Sequence, residues 1–67
     1  MAVARVTKIT SASSTSFQDA VDKGLARAST TLRGITGLEI VSQKAKVDSG
    51  KITEYRVTME VTFILEG

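Results

Sequence analysis

The side chains able to do chemistry in this chain are few, and their spacing points to binding before catalysis. Histidine and cysteine are both absent, which removes zinc frameworks, Cys/His and Ser/His/Asp nucleophile systems and the neutral-pH proton shuttle. The carboxylates are scattered as Asp19, Asp22, Glu39, Asp48, Glu54, Glu60 and Glu66, and no run of them has the spacing of a calcium loop. A symmetric assembly could still gather copies of one carboxylate around a metal. Tyr55 and Lys51 are four apart but fall on an expected strand, so they do not form the helical Tyr-x-x-x-Lys arrangement. The expectation is a protein that is not an enzyme.

The remaining polar residues read as surface rows. Arg56, with Thr58 and Glu60 at i+2 and i+4, belongs to the polar parity of a strand. It reads as a solvated or subunit-bridging charge, with contact to an anionic cofactor as the alternative. Lys44 and Lys46 share a face with Ser42. They could favour phosphates, although lysine on an exposed strand also guards against unwanted edge pairing, and that account is preferred. Gly37 ends the connection Gly34-Ile35-Thr36-Gly37 and reads as backbone punctuation.

The elements that must position these residues are legible from periodicity. Val3 to Thr10 is rich in β-branched residues and reads as a strand. A run of small hydroxyl residues follows, and the helix N-cap is placed at Ser13, with Ser14 as the second choice. Phe17, Ala20, Val21, Gly24, Leu25, Ala28 and Leu32 then form one apolar stripe, predicting a helix over Ser14 to Arg33 stopped by Gly34. Asp19 and Asp22 near its start and Arg27 and Arg33 near its end agree with the macrodipole. Ala20, Gly24 and Ala28 form a row of small residues, as a helix packed closely on a sheet requires.

A second strand covers Leu38 to Val47, apolar on both parities at its start. Asp48-Ser49-Gly50 is a turn. The third strand, Lys51 to Leu65, alternates cleanly. Tyr55, Val57, Met59, Val61, Phe63 and Leu65 fill one face, and Arg56, Thr58, Glu60 and Thr62 the other, before Ile64 breaks the polar row. Met59 and Phe63 are expected to pack on the helix at Phe17, Val21 and Leu25. The fold class is α+β: one β-α-β-β domain over residues 1–67, a three-stranded antiparallel sheet wrapped around one helix.

Size then implies company. At 67 residues and 7.1 kDa the chain allows one small domain, and such a chain buries only about 60% of the surface its unfolded form exposes. Disulfides and zinc are unavailable as staples, which leaves association of subunits. A strand of roughly 14 residues extends about 45 Å, while a helix of roughly 20 residues reaches about 30 Å. The hairpin ends must therefore project and invite pairing with another copy.

Composition excludes several classes. Nine basic against seven acidic residues give net +2, without any block of like charge, so no nucleic-acid arm is expected. Three aromatics, Phe17, Tyr55 and Phe63, are too few for a base-stacking platform. No apolar run nears the roughly 20 residues of a membrane span, and the first residues carry no signal-peptide core. A cytoplasmic protein with no membrane or nucleic-acid partner is the expectation.

Three blocks carry a family resemblance. They are Ser13-x-x-Ser16-Phe17-x-x-Ala20, Ala26-Arg27-Ala28-Ser29-x-Thr31-Leu32, and the hairpin with its last strand, Gly50-Lys51-Ile52, Tyr55-x-Val57 and Val61-x-Phe63-x-Leu65-Glu66. With length and element order, they make the chain resemble the dodecins, small β-α-β-β proteins that assemble as hollow homododecamers. The resemblance implies flavin binding (FMN, FAD or riboflavin type) without catalysis, in storage or buffering. In flavin-binding members a tryptophan near the start of the second strand stacks on the isoalloxazine, and a glutamine just after a tyrosine on the third strand hydrogen-bonds it. Those positions fall here on Gly37 and Arg56, and the chain has no tryptophan. Gly37 becomes, on this view, the floor of an emptied pocket at a subunit junction, and Lys44 a phosphate contact. Glycine offers no face for stacking, typically about 0.5–1.5 kcal/mol per aromatic pair. Arginine brings five donors and no acceptor where an amide offers both, though a guanidinium can hold a phosphate or stack on a ring. An altered or weakened flavin site is expected, the alternative being a structural or ion-binding cage that has lost flavin binding.

Overall fold

A computed structural model of the chain describes residues 3–65. Four elements follow in the order β1 (Val3–Ser13), α1 (Phe17–Ala28), β2 (Ile35–Asp48) and β3 (Lys51–Leu65). All pairings are antiparallel and the sheet order is β1-β3-β2. The most regularly alternating strand in the sequence thus takes the centre, where both its edges are paired.

The helix is shorter at both ends than the expected span from Ser14 to Arg33. The N-cap is Ser16, not Ser13 or Ser14: its backbone is extended and its Oγ accepts from the Asp19 amide at 2.9 Å. Ser11, Ala12 and Ser13 instead continue the β1 ladder as far as Ser13 opposite Tyr55, so β1 outruns the expected Thr10. Ser13 is buried at the strand-to-helix turn, donating to Asp19 Oδ2 at 2.5 Å and accepting from the Thr15 amide at 2.9 Å. At the other end the helix stops at Ala28, with Ser29 as C-cap. Hydroxyls explain the early stop, because Ser29, Thr30 and Thr31 donate back to the carbonyls of Leu25, Arg27 and Ala28, offering the backbone an alternative to the helical ladder. Gly34 therefore does not terminate the helix. Its φ of 73° turns the chain into β2, and its carbonyl accepts from the Ile64 amide at 2.9 Å.

β2 begins at Ile35, earlier than the expected Leu38, because Ile35 finds Phe63 as its partner. Ser49 and Gly50 both have positive φ, 51° and 77°, the two-residue turn whose twist matches a hairpin. Register shifts interrupt the β2–β3 ladder between Ile35 and Gly37, Ile40 and Ser42, and Lys46 and Val47. The second shift leaves Val41 as an extra residue and exchanges the two faces of β2 along its length.

The helix covers one face of the sheet. Ala20, Val57, Met59 and Val61 are buried there, with Ile9, Phe17, Val21, Leu32, Ile35 and Leu38 packed around them. Tyr55 meets Phe17 edge to face, with ring centroids 5.0 Å apart. Gly24 is buried against the sheet, and a Cβ there would lie 2.9 Å from Met59 Cε and 3.0 Å from Ser11 Cβ, so the small-residue row is a packing requirement. Met59 packs in this core with Phe17 and Val21, as expected, but without Leu25. Phe63 does not join it: it is half-buried beyond the helix end, beside Leu32, Arg33 and Leu65, because no helical turn remains above it. The molecule is 52 Å long and 13 Å thin, whereas α1 spans only about 18 Å at 1.5 Å per residue. Ile40, Val41, Val47 and Ile52 stay exposed.

Candidate functional site

The face of the sheet opposite the helix collects the polar residues of all three strands. The shift at Val41 makes this possible. Gly37 and Glu39 have one parity and Ser42, Lys44 and Lys46 the other, yet all pair with the even-numbered residues of β3 that carry its polar face. Read across the sheet, four rows follow one another along β3. Gly37, Thr62 and Val6 form the first, and Glu39, Glu60 and Lys8 the second. Ser42, Thr58 and Thr10 form the third, where Thr10 Oγ1 and Thr58 Oγ1 share a hydrogen bond of 3.0 Å. Lys44, Arg56 and Ala12 form the fourth, followed by Lys46 opposite Glu54.

Lys44 and Arg56 are therefore direct cross-strand neighbours, and with Ala45 and Lys46 they line a shallow depression of about 330 Å³. Arg56 donates from Nε to Glu54 Oε1, and its side chain remains 58% exposed. Its acidic partner is thus Glu54 and not Glu60, as strand geometry requires: i−2 on the same face is about 7 Å away and i+4 about 13 Å. Like-charged Lys44 and Arg56 side by side cost stability, and Glu54 offsets part of that repulsion. Lys44 and Lys46 also occupy β2, an edge of this sheet, where the protective reading placed them.

Gly37 stands apart from this group. It pairs beside Thr62, six β3 positions from Arg56, a distance of about 20 Å along the strand. A Cβ on Gly37 would meet nothing within 4 Å. Gly37 lies inside β2, so its place is on a strand and not in the connection before it. One chain brings Arg56, Lys44 and Lys46 together and leaves Gly37 separate. Glu54 was missed in the sequence, although its parity with Arg56 at i−2 is the signal that finds it.

On the helix side, Asp19 is the carboxyl with a displaced titration. The Ser13 hydroxyl and then Lys23, whose Nζ lies 3.0 Å away, hold it below the usual carboxylate range, against a smaller opposing effect of desolvation. Among the described residues no group of three or more acidic side chains stands close enough to hold a metal ion, and Glu66 lies outside them. No helix among those residues is long and apolar enough to cross a membrane.

The same fold recurs in solved structures. A dodecin from Streptomyces davaonensis is 33% identical, with a TM-score of 0.92 over 98% of this chain and 97% of that one. A variant of the T. thermophilus dodecin is 28% identical, with a TM-score of 0.95 over the whole of both chains. A protein from Mycobacterium tuberculosis, described as a calcium dodecin with a novel calcium-binding site, is 34% identical, with a TM-score of 0.81 over 96% of this chain and 91% of that one. A search of curated protein sequences gives no match. The family model described as Dodecin matches residues 3–66. With that match over nearly the whole chain and the structural likenesses beside it, the chain belongs to the dodecin family.

Proposed function

We propose that the protein self-assembles, as a homododecamer, into a cytoplasmic binding and storage protein that sequesters a flavin in a weakened pocket and performs no chemistry on it. The separation of Gly37 and Arg56 carries this reading. Both lie on the face away from the helix, about 20 Å apart along one β3 strand, so a pocket needing both positions must draw them from different copies. Exposed Ile40, Val41, Val47 and Ile52 on the long hairpin supply apolar surface for such copies to bury. Gly37 then leaves open space where an aromatic would stack, and Arg56 presents donors to a phosphate or carbonyl edge.

The alternative is a cage that holds an ion or serves as structure alone. It is favoured by Glu39 standing directly opposite Glu60, a like-charged pair whose repulsion Lys8 on the other side of Glu60 offsets in part and a bound cation would relieve further, and by the calcium site named for the M. tuberculosis relative. Equilibrium dialysis of the assembled protein against FMN separates the two readings. Retention of FMN with protein, at a Kd in the micromolar range or weaker, supports the flavin reading. Intact oligomer with no FMN retained, together with calcium retention, supports the alternative.

A further inference from the structure

We infer that the groove between the helix and β1 is a second binding site, for a small amphipathic monoanion: a carboxylate on an unbranched apolar chain, anchored by Arg27. The groove lies on the opposite side of the sheet from Gly37 and Arg56, so it stands whether or not flavin is bound there.

The geometry follows from β1 being an edge strand. Thr7, Ile9 and Ser11 are registered to Val61, Met59 and Val57, and so share the parity of β3 that faces the helix. With nothing paired beyond β1, the space between it and the helix opens sideways at the rim of the sheet. That opening holds about 390 Å³, within the range of about 300–1,000 Å³ usual for small-molecule sites. Ile9 from β1, and Ala28 and Leu32 from the helix and the turn after it, give it apolar walls. Ile9 and Leu32 are only half-buried. Each packs on the core with one side and lines the groove with another.

Charge selects the ligand. Lys23 and Arg27, one helical turn apart, stand along the same opening. Lys23 is already paired with Asp19, Nζ to Oδ2 at 3.0 Å. Arg27 has no acidic partner among the described residues. The groove therefore carries one unneutralised charge beside its apolar walls, and the complement is a single negative charge on an apolar chain. The two parallel donors of a guanidinium match the two oxygens of a carboxylate, and the chain takes the open sides of Ile9 and Leu32 out of water. Thr7 lines the same opening and its hydroxyl can donate to the carboxylate. A cation in the last turn also complements the helix dipole, but lysine would do that as well as arginine. Inorganic phosphate finds one such cation and no use for the apolar walls.

Calorimetry and methyl NMR on the assembled protein, with butanoate, octanoate, octanol and inorganic phosphate as probes, test this. Octanoate should bind, with affinity rising about two- to fourfold per methylene from butanoate to octanoate. Octanol should bind about tenfold more weakly or worse. The methyl signals of Ile9, Ala28 and Leu32 should shift on titration. Arg27→Gln should weaken octanoate binding about tenfold, and Arg27→Lys about threefold or more without changing the unfolding temperature, which separates carboxylate recognition from the dipole. Arg27 is exposed, and elution at the wild-type volume checks that assembly is kept. Saturating FMN should leave octanoate binding unchanged, and a protein that binds octanoate but no FMN leaves the inference standing while the flavin reading fails. Displacement of octanoate by FMN overturns the inference, since the probe then sits on the other face. Shifts confined to Val41, Val47 and Ile52, octanol or phosphate binding as tightly as octanoate, or an Arg27→Gln variant that binds like the parent also overturn it. So does the absence of any octanoate binding, which would mean that a neighbouring copy fills the groove.

Discussion

Gly37 and Arg56 face the same side of the sheet, but Gly37 is registered to Thr62, six β3 positions from Arg56. The space above Gly37 is open, since an added Cβ there meets nothing within 4 Å. A Cβ can therefore be added there without displacing the chain's own atoms. Gly37→Trp, alone or with Arg56→Gln, should raise flavin affinity by roughly 1–3 kcal/mol, stacking and one hydrogen bond together. That is about five- to 150-fold. Titration of flavin fluorescence reads it directly: quenching should be weak in the wild type and pronounced in the variant. Strong quenching by the wild type would show that another group, such as Arg56, already covers the ring.

Ser13 Oγ and Asp19 Oδ2, 2.5 Å apart, tie the end of β1 to the first turn of the helix. The Asp19 carboxyl is held below its ordinary value of 3.8, first by Ser13 and then by Lys23. A carboxyl whose folded pKa is lowered contributes stability that is complete above its unfolded value and is lost as pH falls through the folded one. Stability should therefore decline from about pH 4 downward. Asp19→Asn should be less stable at pH 7 and should show a shallower decline in that acid range. Thermal unfolding at matched protein concentration from pH 7 to pH 2 checks this, and parallel curves for the two proteins would refute it.

Gly24 sits where the helix packs against Ser11 of β1 and Met59 of β3. Replacing it with alanine gains about 0.8–1.0 kcal/mol of helix propensity. The new Cβ would lie 2.9 Å from Met59 Cε, which can swing away, and 3.0 Å from Ser11 Cβ, which is fixed to the β1 backbone. Overpacking typically costs about 1–3 kcal/mol, so the clash should win and Gly24→Ala should lower the unfolding temperature. A raised midpoint would mean that α1 can lift from β1 without penalty.

Met59 is fully buried at the centre of the helix-facing side. Met59→Ala should cost about 2–5 kcal/mol and should be read as loss of soluble assembly on size exclusion. Elution and unfolding like the parent would contradict the core assignment.

Much of this fold is written in local pattern. The alternation from Tyr55 to Leu65 places β3 correctly because each parity meets a different environment, and the stripe from Phe17 to Ala28 marks the helix centre. Its ends were harder to read. Ser13, Ser14 and Ser16 are chemically alike as caps, and only the pairing of Ser13 with Tyr55 decides that the strand claims it. The stripe continues to Leu32, but Leu32 reaches the core from a turn held by serine and threonine hydroxyls. The site suffers from one extra residue. Ile40 and Val41 read as apolar on both faces, whereas Val41 is a bulge that reverses parity, so the sequence alone does not place Gly37 and Lys44 on one face. Phe63 looked like a core residue by parity, and only the early end of the helix shows otherwise.

Native mass spectrometry of the purified protein tests the central claim most directly, because subunit number and retained ligand are read together. The account predicts a species near 85 kDa, twelve times the 7.1 kDa chain, carrying flavin that dissociates before the subunits part. A folded 7.1 kDa monomer at micromolar concentration would contradict it.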